Sequence, residues 1–583
     1  MKNYKKTYKK ALKKSQSRNK KSKKPDLSGY VYYGIYQYLK SAFSDEQEII
    51  PQEPPEHVEA DIAVSADVKK VKEAAEKINN DNFDYFKKAE VQGPFLNIFL
   101  NYQNIFNDLL SNVEKLDDKY GENNSHYNKL AIIEYSSPNI AKPISIGHLR
   151  TTVIGQVLSN IYEANGYTVL RDNYLGDWGT QFGKVAYAYQ KWGEGKELNV
   201  KNLKDLYIKF QKEYEKDESI IEEARNILKK LEDEDEKLTK LWKKVKELSV
   251  KDLKSVYQKL GVEFDHYSGE SLFLNKAKDL IKDCLDRKVC KKGKKDAIIV
   301  EPEDLPTFLM EKSDGSTLYH SRDLAQLKAR IEELNPDELL YVVGNEQKLH
   351  FRQLFTLAEK LGYLQDLHPK HIGFGLVLGD DGKKMSTRHG TGADLKRLIN
   401  KAIEKSLAIV EEKSSNLSSK NKKEIAEKVG IGAIIYNDIS HSRNKDISFD
   451  WNQMLNFESG SAAYLQYTNA RINSIKEKYE EKFNKPQKPN KFIFNEKIET
   501  KIAKKIMFFP QVIRLAEEKD APHVIANYLE ELASTFNTFY NKISIIKTDD
   551  EDLRVSRLYL SRTVGQVIKN GLRVLNIPIP KNM

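Results

Sequence analysis

Cysteine and long hydrophobic runs are almost absent from this 583-residue sequence, and each absence excludes a class of protein. The two cysteines, Cys284 and Cys290, are too few for a disulfide framework. Five residues separate them and no histidine is near, which is poor spacing for zinc, so we expect ordinary thiols in a reducing compartment. No apolar run approaches the roughly 20 residues that cross a bilayer, so we expect no membrane span and a cytoplasmic location.

Acidic residues are absent from the first 24 positions, where twelve residues are Lys or Arg. Without these twelve, 84 basic residues stand against 85 acidic ones, so the net charge of +11 comes from this segment. We predict that residues 1–29 form a basic, disordered tail. Such a tail either attracts phosphate backbones or only keeps the chain in solution, and the sequence leaves both readings open. It has neither the apolar core of a secretory signal nor the Arg bias of organelle presequences.

Composition and periodicity divide the rest of the chain into further regions. A Pro- and acid-rich break at Pro51–Asp61 precedes helical periodicity over 66–120 and the strand-like run Asn97–Tyr102. Charged sequence with apolar residues at helical spacing over 198–262 indicates inserted amphipathic helices. We predict a small α+β domain over 30–120, a catalytic domain over 121–395 with an insertion at about 185–300, a helical region over 396–455 and a helical bundle over 456–583.

Strands that alternate with helices predict a parallel sheet in the catalytic region. The strand Leu130–Tyr135 opens this pattern, which resumes at Ala297–Pro302 and runs to Leu376–Gly379. Ligands of parallel sheets bind at the carboxyl ends of the strands, beside helix N-termini whose exposed N–H groups favour phosphate. The polar turn after Tyr135 is therefore a candidate nucleotide site.

The polar turn leads to the residues Ser145–His148, which read SIGH, and then to a helix beginning near Leu149. Gly147 allows a flat base or a ribose to approach the backbone closely. His148 can donate a hydrogen bond to a phosphate oxygen during group transfer. By itself this pattern is a weak sign of catalysis.

A second candidate element is the basic loop Gly382–Gly390, which reads GKKMSTRHG and is flanked by glycines. A mobile basic loop can close over a triphosphate and neutralise the charge of leaving pyrophosphate. Considered alone, a basic surface turn is the more common explanation of such a segment.

Together, SIGH and KMSTR resemble the two signatures of the class I aminoacyl-tRNA synthetases, in the order in which that family has them. Five further segments resemble the arginyl-tRNA synthetases within that class: SSPNIAKP, NYLGDWGTQFG, Lys312–Ala325, Gly344–Phe355 and Phe449–Arg471. The resemblance covers about residues 90–583, whereas residues 30–90 match poorly. It implies an α/β Rossmann-type catalytic domain with an inserted helical region, a small α+β N-terminal domain and an all-α C-terminal anticodon-binding bundle.

The resemblance also implies the reaction and its substrates. The arginine carboxylate would attack the α-phosphate of ATP to give arginyl-adenylate and pyrophosphate, and the terminal ribose of tRNA(Arg) would then take the arginyl group. Positioning and charge stabilisation carry such chemistry, without a covalent enzyme intermediate. Mg²⁺ is expected with ATP, held mainly by phosphates, and no structural metal is expected. A monomer is the expected state.

The resemblance assigns residues to each substrate, and their chemistry suits the assignment. A guanidinium prefers a planar carboxylate, and Asp323 lies four residues after Tyr319, on one face if the segment is helical. The implied arginine-binding residues are Glu134, Asn139, Tyr319, Asp323 and Gln347. The implied ATP-binding residues are Pro138, Asn139, Gly147, His148, Gly373, Val377, Lys383, Lys384, Met385 and Ser386, of which His148 and Lys384, with Ser145, form the catalytic set. The implied tRNA-binding residues are Gln466, Tyr467 and Arg471, since aromatic and Arg side chains suit unstacked bases; for Tyr467 a place in the core is the alternative.

One position departs from the family pattern. Members usually have His where this chain has Ser145, which can form hydrogen bonds but cannot carry charge. The loss of one stabilising contact can slow group transfer by about tenfold to a thousandfold. An active arginine–tRNA ligase is the leading hypothesis. The alternatives are a tRNA-binding paralogue that has lost catalysis and a class I enzyme for another amino acid, such as cysteine or glutamate.

Overall fold

The computed structural model of the chain describes residues 2–43, 49–52, 54–55, 57–195, 197–379, 382, 394–413, 417–489, 491–581 and 583. Its N-terminal part contains α1 (Lys2–Ser22), α2 (Val31–Ala42), β1 (Ile62–Ser65), α3 (Val68–Asn80), β2 (Phe86–Gln92), β3 (Phe95–Leu100) and α4 (Tyr102–Leu116). The three strands form an antiparallel sheet in the order β1-β3-β2. Helix α3 packs against this sheet and α2 packs against α3, which makes the α+β fold expected before the catalytic region.

A parallel sheet organises the next region. Its elements are β4 (Leu130–Glu134), α5 (Leu149–Ala164), β5 (Thr168–Leu175), α6 (Thr180–Trp192), α7 (Val200–Tyr214), α8 (Ile220–Glu232), α9 (Glu236–Lys259), β6 (His266–Gly269), α10 (Leu274–Asp286), β7 (Lys291–Lys292), β8 (Ile298–Val300), β9 (Phe308–Glu311), α11 (Tyr319–Leu334), β10 (Glu338–Val342), α12 (Lys348–Lys360) and β11 (Lys370–Ile372). The sheet order is β11-β10-β4-β5-β6, with all neighbours parallel. Every residue of β4 is buried, as expected of a strand covered on both faces.

The strand order reverses beside β4, which fixes where a ligand would bind. The chain runs outward from β4 through β5 to β6, and it later returns to place β10 on the other side of β4. Open α/β sheets bind ligands in the crevice at such a switch point, outside the carboxyl ends of the strands. The SIGH turn follows β4 and therefore lies at this edge. The predicted Rossmann-type fold is confirmed.

The sheet differs in two details from the predicted pattern. The strand at Ala297–Pro302 was expected to resume the parallel sheet, but β8 lies in a separate antiparallel sheet of order β7-β8-β9. The short strand β6, which falls within the predicted insertion, instead pairs with β5 in the central sheet. At Leu376–Gly379 the structure has an isolated bridge between Val377 and Ile447 rather than a regular strand.

The charged segment at 198–262 forms the three amphipathic helices α7, α8 and α9. The apolar residues that gave the helical spacing are on the packed side, with Leu203, Leu206 and Phe210 of α7 and Val245 of α9 buried. Charged residues cover the opposite side, and helix α6 contacts all three helices. The prediction of amphipathic helices here is therefore confirmed.

The basic segment at the N-terminus is a docked helix, so its prediction as a disordered tail is wrong. Helix α1 contacts β5, β6 and α11. Tyr8, Ala11 and Ser15, spaced three and four residues apart, are buried against them. Arg18 forms ion pairs with Glu163 and Asp265. The helix is rich in Lys and has no acidic residue. This composition predicts a solvated segment, and three buried positions on one side of the helix are too few to change that prediction.

Helices make up the described C-terminal part after residue 394, as expected. They are α13 (Leu395–Lys413), α14 (Ser419–Ile439), α15 (Trp451–Met454), α16 (Ala462–Phe483), α17 (Lys497–Glu518), α18 (His523–Lys542) and α19 (Glu551–Val574). Helix α13 pairs with α14, and α16 to α19 pack against one another. Of the helices in the described part of the chain, none is both long and apolar enough to span a membrane.

The two cysteines are joined in a disulfide, which corrects the expectation of ordinary thiols. After α10 the chain turns back at Lys288, whose φ is +58°. The N–H groups of Val289 and Cys290 both donate to the Cys284 carbonyl oxygen, and the two cysteine Cα atoms lie 5.3 Å apart. This local turn, rather than the sequence spacing, brings the sulfurs within bonding distance.

Candidate active site

Residues 145–148 form a short turn that begins helix α5 at the carboxyl edge of the sheet. Ser145 precedes a single 3₁₀ turn over Ile146–His148, and Leu149 starts the α-helix. Gly147 is exposed and His148 is half-buried. The predicted nucleotide-binding turn therefore has the expected place, beside a helix N-terminus that favours phosphate.

Ser145 holds the imidazole of His148. The Ser145 Oγ lies 3.0 Å from His148 Nδ1, and the Ser145 backbone N–H also donates to Nδ1 at 3.4 Å. Because a backbone N–H can only donate, Nδ1 is the acceptor and the ring proton is on Nε2. Burial lowers the pKa of His148 to about 4, so the ring is neutral at pH 7. His148 can thus offer an Nε2–H donor but no positive charge.

Hydrogen bonds from α5 tie this turn to its surroundings. The Ser136 N–H, just after β4, donates to Thr151 Oγ1 at 3.0 Å, and Thr151 Oγ1 donates to the Val342 carbonyl at the end of β10 at 2.6 Å. The buried Arg150 pairs with Asp438 of α14 at 2.9 Å. The two sides of the switch point and the helical region are therefore linked through consecutive residues of one helix.

Backbone hydrogen bonds join the loop after β4 to the loop after β5. The Gly176 N–H donates to the Pro138 carbonyl at 3.1 Å, and the Ile140 N–H donates to the Gly176 carbonyl at 3.2 Å. A Cβ at Gly176 would lie 2.0 Å from Asn139 Oδ1, so the Asn139 side chain in its present position requires glycine here in the NYLGDWG segment. Asn139 is exposed at the same edge and Pro138 is buried.

Glu134, the last residue of β4, is buried and already has internal partners. Its Oε2 accepts hydrogen bonds from Arg330 Nη2 at 2.6 Å and from Gln326 Nε2 at 3.0 Å. Burial, opposed by the charge of Arg330 and aided by that of Asp172, raises the pKa of Glu134 to about 7. Both donors use one carboxylate oxygen.

Asp323, at the beginning of α11, lies close to this carboxylate. Its charge is among those that act on Glu134, and its own Oδ2 lies 2.8 Å from His350 Nε2. Tyr319 and Gln347 are exposed at the starts of α11 and α12. The structure therefore brings the predicted arginine-binding residues to one edge of the sheet. Their contact with arginine stays a prediction.

The structure gives less support to the other predicted ATP-binding positions. Gly373 is buried, and a Cβ there would lie 2.1 Å from the side-chain oxygen of Asn345, so it packs closely against Asn345. Val377 is buried in the core beside Ile447. The predicted residues Lys383, Lys384, Met385 and Ser386 lie outside the described residues. In the described part of the chain no group of three or more His, Cys, Asp or Glu is arranged to hold a metal ion.

The predicted tRNA-binding residues on α16 divide into two kinds. Gln466 is fully buried, and its amide donates to the Pro578 carbonyl at 2.6 Å, so the prediction that it contacts tRNA is wrong for this structure. Tyr467 is 39% exposed, which also decides against a core position. The Arg471 guanidinium lies 5.0 Å from the ring centre of Tyr467 and 5.1 Å from that of Tyr540, so the three form a cationic and aromatic surface.

The partners of Glu134 and Asp323 were not predicted from the sequence. Gln326 and Arg330 follow Asp323 by three and seven residues, which places all three on one face of α11. That spacing was a usable signal. His350 was within a recognised segment, but only the fold brings it to Asp323.

Comparison with known proteins agrees with the geometry. Residues 109–451 match the family described as class I tRNA synthetases (R), catalytic domain, and residues 465–583 match the DALR anticodon binding domain. The arginine–tRNA ligase 2 of Bacillus anthracis is 40% identical over 517 residues, which is 88% of this chain and 90% of the relative. The chain belongs to the arginyl-tRNA synthetase family.

Other members of the arginyl-tRNA synthetase family give the same result. The arginine–tRNA ligase of Clostridium kluyveri is 40% identical over 518 residues, 88% of this chain and 90% of the relative. The arginyl-tRNA synthetase structure from Thermus thermophilus superposes with a TM-score of 0.77 at 22% identity, over 95% of this chain and all of that one. That structural likeness concerns the fold.

Proposed function

We propose that this arginyl-tRNA synthetase family member ligates L-arginine to its cognate tRNA through an arginyl-adenylate, with the release of AMP and pyrophosphate. One observation carries the proposal. Two acidic side chains, Glu134 at the end of β4 and Asp323 at the start of α11, are close enough for the charge of Asp323 to act on Glu134, and the His148 turn follows the same strand β4. This arrangement occurs in a chain that is 40% identical over 88% of its length to an enzyme named arginine–tRNA ligase.

Arginine binds with its guanidinium toward the two acids. Asp323 offers a planar carboxylate, which matches the paired N–H groups of a guanidinium. Asp323 Oδ2 can keep its contact with His350 Nε2 while Asp323 Oδ1 accepts a hydrogen bond from the substrate. Glu134 offers its remaining oxygen, since its Oε2 is held by Gln326 and Arg330. Tyr319 and Gln347 line the entrance, and Asn139 binds the amino-acid end.

ATP lies along the turn from Pro138 to His148. Gly147 leaves room for the nucleotide, and the neutral His148 donates its Nε2–H to a phosphate oxygen. Lys383 and Lys384 supply positive charge to the phosphates and stabilise the leaving pyrophosphate. Gly373 and Val377 support the adenine side. Mg²⁺ arrives with ATP and is bound mainly by its phosphates.

The tRNA reaches two parts of the enzyme. Its terminal ribose enters the crevice that holds the adenylate, and its hydroxyl attacks the arginyl carbonyl with AMP as leaving group. The anticodon stacks on the surface made by Tyr467, Arg471 and Tyr540, because aromatic and guanidinium planes suit unstacked bases.

The test is aminoacylation by the purified full-length protein. We expect charged tRNA only when arginine, ATP and a tRNA(Arg) transcript are all present, and no charging when cysteine or glutamate replaces arginine. Absence of arginine charging with a cognate transcript contradicts the proposal, and charging with cysteine or glutamate would point to a different class I enzyme. Pyrophosphate exchange is measured alongside, and we expect it only in the presence of tRNA.

A further inference from the structure

A row of buried polar side chains crosses the central sheet beneath the proposed arginine pocket. The strand register places Glu134 of β4 beside Asp172 of β5. Tyr341 of β10 continues the row on one side, and His266 of β6 continues it on the other. All four residues are buried, so their hydrogen-bonding groups depend on protein partners.

Two helices supply the groups that complete this row. From α11, the fully buried Arg330 places its Nη2 atom 2.6 Å from Glu134 Oε2 and 2.6 Å from Asp172 Oδ2. From α1, the Tyr8 hydroxyl donates to the same Asp172 Oδ2 at 2.7 Å, and its ring lies 4.2 Å from the ring of His266. One nitrogen of Arg330 is thus shared between the pocket carboxylate and a carboxylate that Tyr8 also contacts.

The charge states make Tyr8 a permanent donor to a carboxylate. Burial, and then the charge of Asp172, raise the pKa of Tyr8 well above its usual value. Burial acts to raise the pKa of Asp172, but the charge of Arg330 and the contact with His266 hold it below its usual range. The other oxygen of Asp172, Oδ1, is satisfied separately by Ser268 Oγ at 2.9 Å and His266 Nδ1 at 3.1 Å. Tyr8 and Arg330 therefore share Oδ2.

We propose that Tyr8, on the N-terminal helix, is a positioning residue for arginine. Its hydroxyl satisfies Asp172, which leaves Arg330 shared with Glu134, and Arg330 in turn holds Glu134 at the pocket. The inference rests on the proposed ligation of arginine. Tyr8 contacts no substrate, and it acts through Asp172 and Arg330.

The direction of the effect follows from the shared nitrogen. Without the Tyr8 hydroxyl, Asp172 Oδ2 loses one of its two donors in a site that excludes water. A buried carboxylate that loses a donor strengthens its remaining contact, because little else can compensate its charge. Arg330 then moves toward Asp172 and away from Glu134. The pocket carboxylate becomes less well held, so arginine binds more weakly while ATP binding is unaffected.

Another contact of α1 provides a matched control. Ser15, seven residues or about two helical turns further along the same buried stripe, donates from its hydroxyl to the Val169 carbonyl of β5. It is as buried as Tyr8, but it contacts none of the residues in the row. A change at Ser15 weakens the docking of α1 without altering the partners of Asp172, so the two positions separate a structural role from a positioning role.

The experiment compares full-length wild type with Tyr8→Phe and Ser15→Ala. Steady-state charging gives kcat and the KM values for arginine and ATP, and calorimetry gives the Kd of arginine. We expect Tyr8→Phe to raise the arginine KM and Kd by about three- to thirtyfold, the loss of one charge-assisted hydrogen bond, with kcat and the ATP KM within twofold. We expect Ser15→Ala to leave the arginine KM within twofold, whatever its effect on Tm.

Two outcomes overturn the inference. One is an arginine KM and Kd within twofold of wild type for Tyr8→Phe, and the other is an equal rise in both variants, which would assign the effect to helix docking alone. The calorimetric measurement distinguishes a failure of the proposed function from a failure of the inference about Tyr8. Wild type that binds arginine but charges no tRNA contradicts the proposed function only, and the comparison of Kd values still decides the role of Tyr8.

Discussion

The hydroxyl of Ser145 lies 3.0 Å from Nδ1 of His148, and the backbone N–H of the same serine points to the same nitrogen. The residue that departs from the family pattern is therefore in direct contact with the histidine that the pattern retains. Two hydrogen bonds to Nδ1 place the proton on Nε2 and set the plane of the ring. Ser145 supplies orientation where family members usually supply a second imidazole.

This relationship predicts that Ser145→Ala slows charging. Loss of the hydroxyl frees the imidazole to rotate, and we expect kcat to fall by about tenfold, the lower end of the effect of removing an oriented donor. Ser159→Ala is a matched control, since it removes a buried hydroxyl of the following helix α5 that donates to the Gly155 carbonyl four residues earlier. An unchanged kcat in Ser145→Ala would show that the contact does not orient His148. A large increase in kcat for Ser145→His would instead indicate that serine at this position has lowered the activity.

Asp323 is expected to be the main anchor of the substrate guanidinium. Asp323→Asn keeps the size of the side chain but removes its charge, and we expect the arginine KM to rise by about a hundredfold or more, the cost of leaving a buried charged partner unpaired. Glu332→Gln serves as the control, because Glu332 is exposed on the same helix. Charging kinetics at saturating ATP measure both. An arginine KM in Asp323→Asn within threefold of wild type would place the guanidinium elsewhere.

The buried carboxyl of Glu134 predicts a pH dependence of arginine affinity. Its pKa is raised to about 7 by burial, so the fraction of carboxylate increases as the pH rises from 6 to 8. A guanidinium binds the carboxylate better than the acid, so the arginine KM should fall over this range, by up to about tenfold. His148, with a pKa lowered to about 4, does not titrate there.

Glu134→Gln supplies the control for this pH dependence. The variant cannot titrate at this position, so its arginine KM should be higher at pH 8 and should vary less between pH 6 and 8. The same slope in wild type and in Glu134→Gln would assign the pH dependence to another group.

The same carboxyl group also affects stability. Its pKa in the folded protein lies above the ordinary value of 4.5, so folding favours its protonated form. The resulting cost of ionisation in the folded state is absent below about pH 4 and grows as the pH rises toward 7. The free energy of unfolding of Glu134→Gln relative to wild type should therefore increase over that range.

The exposed lysines of α1 remain a predicted phosphate-binding surface. Lys9, Lys10 and Lys13 lie on the outer side of the docked helix. Changing all three to Gln should weaken tRNA binding at low salt and reduce the slope of log affinity against log salt by about 0.7 to 0.9 for each lost phosphate contact. The KM values of arginine and ATP are internal controls and should stay unchanged. Identical tRNA affinity at low and moderate salt would leave only a solubility role.

Much of the catalytic site could be predicted from the sequence because its residues lie in segments with strong local patterns. The continuous apolar run of β4 predicts a strand covered on both faces, and the polar turn after it places Ser145 and His148 at the carboxyl edge. Tyr319 and Asp323 begin a helix, as their spacing suggests. Local pattern and position in a parallel sheet were sufficient for these residues.

The remaining features depend on contacts between distant segments. The twelve basic residues near the N-terminus predict a solvated tail. In the structure, the buried stripe of Tyr8, Ala11 and Ser15 makes α1 a docked helix. Gln466 is polar in sequence, but a carbonyl near the C-terminus, at Pro578, satisfies its amide in the core. Arg330 carries the charge of a surface residue, yet two buried carboxylates from different strands hold it inside. In each case the partner lies more than 100 residues away.

The most direct test of the proposed function is the rate at which the purified wild-type protein charges a tRNA(Arg) transcript with each amino acid supplied singly with ATP. We expect charging with arginine, strictly dependent on ATP and on the cognate transcript, and no charging with cysteine or glutamate. A folded protein that binds the transcript but forms no arginyl-tRNA at any arginine concentration would contradict the proposed function.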